Sequence, residues 1–401
     1  MGDPTPAPTP GRGRIASDVF DRIVAIRRDL HRHPELSGRE RRTTDRVCQR
    51  LDELGIRHRR LGETGVIADL PGLAGDVPGV ALRADLDALP IQERTGLEFA
   101  SEEEGVMHAC AHDGHTAMLL GAAEVLRGEE LPAPVRLLFQ PAEETGTGAR
   151  WMLEEGALEG VGMIFAGHLD IEFRTGVLAV TRGPVNASVD TFRIVISGRE
   201  GHAARPHEAL DAVVVGSMLV MGLQTIVARE IEPALPSVVT VGRFEAGRAA
   251  NVIAGRAELE GTIRAHDPEI REHLIASVRR VAESTAKVHG AELELEIAEG
   301  APVLVNRGEP YEIAREAAKA VVGESSVTWM KNANMGGEDF GYFMERVPGC
   351  YIRFGARAGG PVGFPAHSGQ FDFDEEALGI GAAWFVDVAL RAGEAMAGRR
   401  R

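Results

Sequence analysis

The chain of 401 residues lacks several features that would assign it to a class of protein at once. Its three cysteines are too few, and odd in number, for a disulfide framework, so a reducing compartment is expected. Acidic residues outnumber basic residues, and the formal net charge of −16 opposes binding to nucleic acid or to an anionic membrane. No apolar run of about eighteen residues is present, which predicts that no helix spans a membrane. We therefore expect a cytoplasmic protein without nucleic-acid or membrane partners.

What is present indicates two folded domains after a short tail. Residues 1–14 are rich in proline, glycine and threonine and contain no apolar segment, so we predict a disordered tail and not a signal peptide. The whole chain is 44% hydrophobic and 26% charged, which is ordinary for a globular protein. Its length exceeds what one hydrophobic core usually organises, so two domains are expected.

Short apolar strands followed by polar residues dominate the first part of the chain. The predicted strands are Gly65–Leu70, Val80–Ala84, Val135–Gln140 and Met163–His168. The predicted helices, which have apolar residues at helical spacing, are Asp18–Arg32, Thr43–Leu54 and Thr116–Leu126. This alternation predicts an α/β fold with a mostly parallel sheet. Ligands and catalytic groups gather at the carboxyl edge of such a sheet.

A different order of elements occupies residues 187–299. The predicted elements in this part are the strands Ser188–Ser197, Val238–Phe244, Arg256–Arg264 and Glu292–Ile297 and the helices Ala209–Arg229 and Pro268–His289. Their order, β-α-β-β-α-β, is that of a ferredoxin-like α+β domain. The earlier pattern then resumes, with a helix at Pro310–Val322 and a strand at Tyr351–Phe354. We therefore predict one domain formed by residues 15–186 and 300–401, with residues 187–299 inserted into it.

The stretch Met107–Thr116 has a dense set of metal-ligand side chains: three histidines, one cysteine and one aspartate. Thiolate and imidazole are ligands that zinc and related divalent ions prefer. Cys110 and His112 are two positions apart, so on an extended segment they would face the same side. The alternative is a buried cysteine beside surface histidines. One cysteine and one histidine do not complete a site, so further ligands must come from elsewhere in the chain.

Pairs of carboxylates follow two of the predicted strands. Glu143 and Glu144 come after Val135–Gln140. Such a pair is commonly a bare surface feature, but beside a metal one carboxylate can bind the ion while the other acts as a general base. Asp85 and Asp87 come after another strand, and Asp87 could orient a ligand histidine. The alternative for both aspartates is a pair of solvated turn residues.

The candidate ligands together indicate a site for two metals. His168 ends a predicted strand, where a histidine is more often structural, and His367 lies in a loop. The full set is Cys110, His112, Glu144, His168 and His367. Five ligands are too many for one tetrahedral catalytic zinc, which keeps three protein ligands and an open position. They suit two ions that share Cys110.

The inserted segment contains three residues that could contact a substrate. His202 lies in a polar loop broken by glycines, and a histidine there could donate a hydrogen bond to an oxyanion. The alternative is an ordinary turn with a cap. Asn251 and Arg264 could hold a substrate carboxylate, for which the guanidinium fork is suited. Each of these two residues by itself would be assigned to the surface.

Taken together, these residues resemble the dinuclear-metal amidohydrolases of the aminoacylase/carboxypeptidase peptidase family. The similarity is greatest to the branch of hippurate hydrolases, auxin-conjugate hydrolases and N-acyl-amino-acid amidohydrolases, and it runs from about Ile23 to Leu390. The segments that carry it are His31–Leu36, Arg83–Pro90, Cys110 with His112, Gln140–Glu144, Gly201–Ala204, Gly336–Phe340, and His367–Ser368 with Phe371–Asp374. These segments stand in the order that the family has.

The resemblance implies a role for each metal ligand. Cys110 stands where the family has its bridging ligand. Glu144 and His367 would complete one metal site, and His112 and His168 would complete the other. The implied ions are two divalent metals per subunit, zinc or manganese before cobalt or nickel.

The resemblance also implies the catalytic and substrate-binding groups. Glu143 matches the general acid and base, and Asp87 matches the supporting carboxylate. His202 matches a histidine that reaches the oxyanion in the partner subunit's active site, while Asn251 and Arg264 match groups near the substrate carboxylate. In this family the inserted domain is both lid and dimer interface, so a homodimer is implied.

The expected activity is hydrolysis of the amide bond of an N-acyl amino acid, which gives a carboxylic acid and a free amino acid. One alternative is a dipeptidase or carboxypeptidase with the same dinuclear site. An alternative of another class is a homologue that binds metal or ligand without turnover. The presence of Glu143 argues against the last alternative, because a general base is not needed for binding alone.

Overall fold

The structure, a computed structural model, describes residues 15–360 and 363–399. The predicted disordered tail, residues 1–14, lies outside the described residues. The described chain forms two compact units. The first unit takes its residues from 1–183, 305–331 and 339–401, and the second unit consists of residues 184–304 and 332–338. The second unit is therefore a little longer than the inserted segment predicted at residues 187–299, and it includes a short later segment.

Within the described residues the chain forms nine α-helices and sixteen strands. The helices are α1 Ser17–Arg32, α2 Arg41–Glu53, α3 His112–Leu126, α4 Gly148–Glu154, α5 Ala212–Glu230, α6 Pro268–His289, α7 Gly308–Val322, α8 Gly341–Met344 and α9 Glu376–Gly398. The strands are β1 Arg57–Arg60, β2 Val66–Leu70, β3 Gly79–Asp85, β4 Val135–Gln140, β5 Val161–Arg174, β6 Leu178–Ala179, β7 Gly183–Asn186, β8 Ser188–Ser197, β9 Gly201–His202, β10 Ser237–Ala246, β11 Val252–Ile253, β12 Arg256–Ala265, β13 Glu292–Ala298, β14 Leu304–Asn306, β15 Val327–Thr328 and β16 Gly349–Arg357.

An eight-stranded sheet in the order β1-β2-β4-β3-β5-β16-β6-β15 forms the centre of the first unit. The four middle strands β4, β3, β5 and β16 run parallel to one another, whereas β2 is antiparallel to β4. All seven residues of β3 are buried, as expected for a strand covered on both faces. The prediction of a mostly parallel sheet in an α/β unit is confirmed.

Helices α1, α3 and α9 pack against one another and cover part of this sheet. The spacing between α3 and α9 is small because glycine lies at the contact: a Cβ at Gly381 would come within 2.0 Å of the Met118 sulfur. Helix α9 was not predicted from the sequence. Its buried residues lie on nearly all sides, so the helix has no polar face from which a helical period could be recognised.

The second unit has a four-stranded antiparallel sheet in the order β10-β12-β8-β13. Helices α5 and α6 pack on each other and on this sheet. The chain order of these elements is β8, α5, β10, β12, α6, β13, which confirms the predicted ferredoxin-like arrangement. Helix α6 begins with a proline after Asp267, whose carboxylate caps Glu269 and Ile270.

By length and composition alone, helix α5, with 19 residues, passes the test for a membrane-spanning helix among the described residues, although the sequence contains no uninterrupted apolar run of about eighteen residues. The segment was not identified from the sequence because glycine, serine and other residues interrupt its apolar run without making it polar. One face of α5, with Val215, Leu219, Leu223 and Ile226, belongs to the core of the second unit.

Candidate metal centre

The candidate ligands lie at or near the carboxyl edge of three neighbouring parallel strands. Strand β3 ends at Asp85, β4 ends at Gln140, and β5 continues past His168. Because these strands are adjacent and parallel, the residues that follow them meet at one edge of the sheet. Glu143 and Glu144 follow β4, and the Cys/His stretch leads directly into α3.

The structure brings the five predicted ligand side chains together. Ligand atoms within 4.8 Å of one another form the groups Cys110–His112–His168, Cys110–Glu144–His367 and His112–Glu143–Glu144. The Cys110 sulfur lies 3.3 Å from His168 Nε2, and His367 Nε2 lies 3.3 Å from Glu144 Oε1. Cys110 thus belongs to two of the groups, as a ligand shared by two ions would.

Hydrogen bonds orient two of the ligand histidines for binding a cation. The Nδ1 of His112 is 2.9 Å from the carbonyl oxygen of Asp87, and that of His168 is 2.7 Å from the carbonyl oxygen of Leu169. A carbonyl oxygen only accepts, so each Nδ1 carries the proton and each Nε2 keeps its lone pair. The Nε2 of His112 is buried and has no hydrogen-bond partner within the described residues. This donor set fits a divalent metal ion.

Without a bound cation, two of the ligand side chains favour a protonation state that does not suit metal binding. Burial raises the pKa of the Cys110 thiol to about 12, and burial lowers the pKa of His168 well below its ordinary value. Although burial opposes the charged form of His112, the Asp85 carboxylate raises the pKa of this histidine well above its ordinary value. A bound cation would reverse two of these preferences, because it needs a thiolate and a neutral imidazole.

Backbone strain is concentrated at the ligands. Among the described residues that are not glycine, positive φ occurs at Ala111 (64°), Ala142 (55°) and His367 (65°). Ala111 separates Cys110 from His112, which begins α3. The prediction that these two ligands share a side of an extended segment is therefore wrong, since a left-handed turn brings them together. Each such residue costs about 1–2 kcal/mol, and strain of this kind is typical of functional sites.

Asp87 supports ligands from two directions. Its Oδ1 lies 3.2 Å from His112 Nδ1, and its Oδ2 accepts hydrogen bonds from the Ser37 hydroxyl at 2.7 Å and from the Glu144 backbone N–H at 3.0 Å. Although burial favours the neutral acid, the hydrogen bond with His112 lowers the pKa of Asp87. This carboxylate therefore connects one imidazole to the turn that carries Glu143 and Glu144.

Two buried residues next to the centre were not singled out in the sequence. Glu40 Oε1 accepts hydrogen bonds from the backbone N–H of Gly38 at 2.9 Å and of Ala142 at 2.8 Å. His115 follows His112 by one helical turn on α3 and lies beside His168, with ring centroids 4.7 Å apart. The spacing of His112 and His115 is a signal that could have identified the second residue. No comparable signal marks Glu40.

The remaining predicted residues lie in the second unit. His202 in β9 pairs with Val252 in β11, and the Asn251 carbonyl accepts a hydrogen bond from Ala203 at 3.2 Å. The Arg264 guanidinium donates to the carbonyl oxygen of Met335 at 2.8 Å. His202 therefore lies in a small two-stranded sheet, and Asn251 immediately precedes the second strand of that sheet. Their roles toward a substrate stay predictions.

Most of the chain is similar to one family of known proteins, and residues 81–391 match the profile of Peptidase family M20/M25/M40. N-acetylcysteine deacetylase of Bacillus subtilis is 42% identical over 373 residues, which are 92% of this chain and 96% of that protein. Thermostable carboxypeptidase 1 of Saccharolobus solfataricus is 37% identical over 386 residues, 93% of this chain and 96% of that protein. A Bacillus subtilis crystal structure, described as a dinuclear metal-binding peptidase of the M20 family, has a TM-score of 0.83 at 38% identity and covers 94% of this chain and 99% of that chain.

Proposed function

The chain belongs to peptidase family M20/M25/M40, and we propose that it is a metal-dependent hydrolase that cleaves the amide bond of N-acyl amino acids. The products are a carboxylic acid and a free amino acid. One observation carries the proposal: five metal-ligand side chains converge beside Glu143, a carboxylate that a metal would not need as a ligand. The similarity to N-acetylcysteine deacetylase supports the choice of an N-acyl amino acid as substrate.

The proposed centre holds two divalent ions, zinc or manganese before cobalt or nickel. Cys110 is the shared ligand, Glu144 and His367 complete one site, and His112 and His168 complete the other. When bound, two such ions lower the pKa of water and polarise the amide carbonyl. A thiol ligand must stay reduced to bind metal, which supports a cytoplasmic location.

Glu143 is the proposed general base and acid. Its Oε2 lies 3.9 Å from His112 Nε2, so it reaches the centre while its neighbour Glu144 serves as ligand. Glu143 takes a proton from the attacking water and later delivers it to the leaving amine nitrogen. Asp87 keeps the proton of His112 on Nδ1, so the ring presents its lone pair at Nε2.

His202 is the proposed donor to the oxyanion, and it acts in the active site of a partner subunit. The backbone N–H of Ala204 donates to His202 Nδ1 at 3.0 Å. In the neutral ring the proton is therefore on Nε2, which is a free donor for a developing negative charge. Asn251 and Arg264 are proposed to hold the substrate carboxylate.

A homodimer formed through the second unit is part of this proposal. Helix α5 exposes Val213, Val214, Met218 and Met221, with exposed fractions from 40% to 68%. Such a contiguous apolar face is typical of an interface. Replacing Met218 and Met221 together by glutamate should convert the dimer to a monomer in sedimentation, whereas Ala276→Glu, at an exposed position of α6, should not. A wild-type protein that sediments as a monomer contradicts the proposed dimer.

The central test separates the base from the ligand next to it. Glu143→Gln should keep two metal equivalents and lower kcat on acetyl- or benzoyl-amino acids by about 10²–10⁴-fold, the usual contribution of a general base. Glu144→Gln is the matched control and should lose metal. Hydrolysis at the wild-type rate by Glu143→Gln would contradict the assignment of the base.

A carboxypeptidase activity is the second candidate, because thermostable carboxypeptidase 1 is also similar over nearly the whole chain. Assays of N-acyl amino acids against unblocked dipeptides and longer peptides separate the two activities. Higher kcat/KM on the peptides would favour the carboxypeptidase. Failure of every acylated and peptide substrate, with metal bound, would support a protein that binds without turnover.

A further inference from the structure

We propose that His115 is a positioning residue that holds the metal ligand His168 through the backbone of Leu169. This inference rests on the proposed metal centre and assigns no ligand role to His115 itself. It also extends to Asp85 and Arg83, which keep the His115 ring in one orientation.

Strand β5 continues beyond the end of its neighbour β3. On that side, the backbone of the extension has no strand partner. The pairing of β3 with β5 ends at Leu82 and Phe165, so on that side Leu169 lies past the last rung. Its backbone N–H donates to His115 Nε2 at 2.9 Å. The imidazole therefore takes the place of the missing strand partner, and a buried N–H is satisfied.

The same residue of β5 orients the metal ligand. The carbonyl oxygen of Leu169 accepts the Nδ1 proton of His168 at 2.7 Å. Leu169 is thus held at its N–H by His115 and uses its C=O to set the ring of His168. If Leu169 moved, the lone pair of His168 would turn away from Cys110, whose sulfur is 3.3 Å from His168 Nε2.

The hydrogen bonds of His115 determine its tautomer and exclude it as a ligand. Because Nε2 accepts the N–H of Leu169, the proton is on Nδ1, which donates to Asp85 Oδ1 at 2.6 Å. Both ring nitrogens are then in use. Asp85, His112 and His115 lie within metal-binding distance of one another, but this group has no lone pair of His115 left for an ion.

Asp85 is itself held in place, so the support is rigid. Its Oδ2 accepts a hydrogen bond from Arg83 at 2.6 Å, and both side chains are 1% exposed. The Thr116 hydroxyl donates a hydrogen bond to the backbone carbonyl oxygen of Asp85 at 2.7 Å. The ring of His115 also packs against that of His168 at 72°. A buried chain of contacts therefore runs from β3 to the metal ligand.

Two amide replacements of His115 separate positioning from simple packing. The longer side chain in His115→Gln can place its oxygen near the position of Nε2 and accept the Leu169 N–H. The shorter one in His115→Asn can still donate to Asp85 but does not reach Leu169. Both substitutions remove the ring and leave a similar neutral amide, so they are matched in polarity.

The measurement is the affinity for zinc in competition with a chromophoric chelator, with urea unfolding of the metal-free proteins as the control. His115→Asn should weaken binding of one of the two ions by about 10–100-fold, the usual effect of removing a partner of a ligand. His115→Gln should bind within a few-fold of wild type. Equal zinc affinity in both variants and wild type, or equal losses in both variants, overturns the positioning role.

The exchange rate of the Leu169 amide gives a second readout that needs no metal. Exchange should be slow in wild type and in His115→Gln and faster in His115→Asn. If His115→Asn does not fold, fast exchange of this amide in wild type would overturn the proposal. A wild-type protein that binds no divalent ion contradicts the proposed function as well, whereas two bound ions with unchanged variants contradict only the role of His115.

Discussion

Glu40 is a buried carboxyl group whose replacement by glutamine should stabilise the protein at alkaline pH and much less in acid. Its side chain is fully buried, and Oε1 accepts two backbone N–H groups. Its Oε2 has no partner among the residues that the structure describes. Burial raises the pKa of Glu40 from 4.5 to about 7, because an ionised carboxylate loses its water there.

The sign and size of the effect follow from this pKa. A carboxylic acid whose pKa is raised by folding contributes its full stabilisation to the protein below the pKa of the unfolded state. That stabilisation is lost as pH rises through the pKa of the folded state. A rise from 4.5 to about 7 corresponds to about 3 kcal/mol lost at pH 8. Glutamine keeps an oxygen for both N–H groups and cannot ionise. The difference in the free energy of unfolding between Glu40→Gln and wild type should therefore increase by about 2–3 kcal/mol as the pH rises from 5 to 8.

Urea unfolding in excess chelator, followed by tryptophan fluorescence, measures this difference. Trp151, Trp329 and Trp384, the three tryptophans of the chain, all belong to the first unit, so the signal reports the unit that contains Glu40. Glu154→Gln, an exposed carboxylate of the same unit, is the control and should show no such pH dependence. A stability difference between Glu40→Gln and wild type that is the same at pH 5 and pH 8 would refute the reasoning.

Two further substitutions test the packing around the centre. Arg27→Met should lower the free energy of unfolding in urea by about 3–5 kcal/mol, because Arg27 and Asp113 form a fully buried ion pair at 2.9 Å and the aspartate would stay buried without its arginine partner. The control is Arg28→Met, at a partly exposed ion pair, which should cost less than about 1 kcal/mol. Gly148→Ala should lower kcat by about 100-fold in a protein that still folds, because a Cβ there would lie 1.6 Å from the carbonyl oxygen of Pro141 and must displace the turn before Glu143. An unchanged unfolding curve for the first variant, or wild-type kcat for the second, would contradict these expectations.

Several elements could be predicted because their signal is local. The ferredoxin-like order of the second unit follows from strands and helices of ordinary length, and helix α6 begins and ends where the sequence predicts, at Pro268 and His289. The candidate ligands could be proposed because cysteine, histidine and glutamate are side chains that bind zinc-like ions, and several of them follow predicted strands, where ligands gather in an open α/β sheet. These features depend on neighbouring residues and not on the rest of the fold.

Other features could not be predicted because they depend on distant parts of the chain. The turn at Ala111 is left-handed, although alanine rarely adopts that conformation, and only the surrounding structure can impose it. Helix α9 is apolar on nearly all sides because it is covered by neighbours on nearly all sides. Strand β5 continues past His168 because β16 pairs with it as far as Asp170 and beyond.

The sequence by itself determined which side chains can bind metal, since that depends on their chemistry. Side-chain chemistry alone did not distinguish His108, His112 and His115, three histidines within eight residues, and His112 was chosen from its spacing to Cys110 and from the family resemblance. The tertiary structure supplied the physical basis for that choice: hydrogen bonds from residues far away in the chain separate His112 from His115, and position separates His108 from both. Asp87 leaves His112 Nε2 open, Asp85 and Leu169 occupy both nitrogens of His115, and His108 is outside the ligand groups found among the described residues. The physical reason is that a ring nitrogen can bind a cation only when its lone pair is not already used and when it lies within reach of the other ligand atoms.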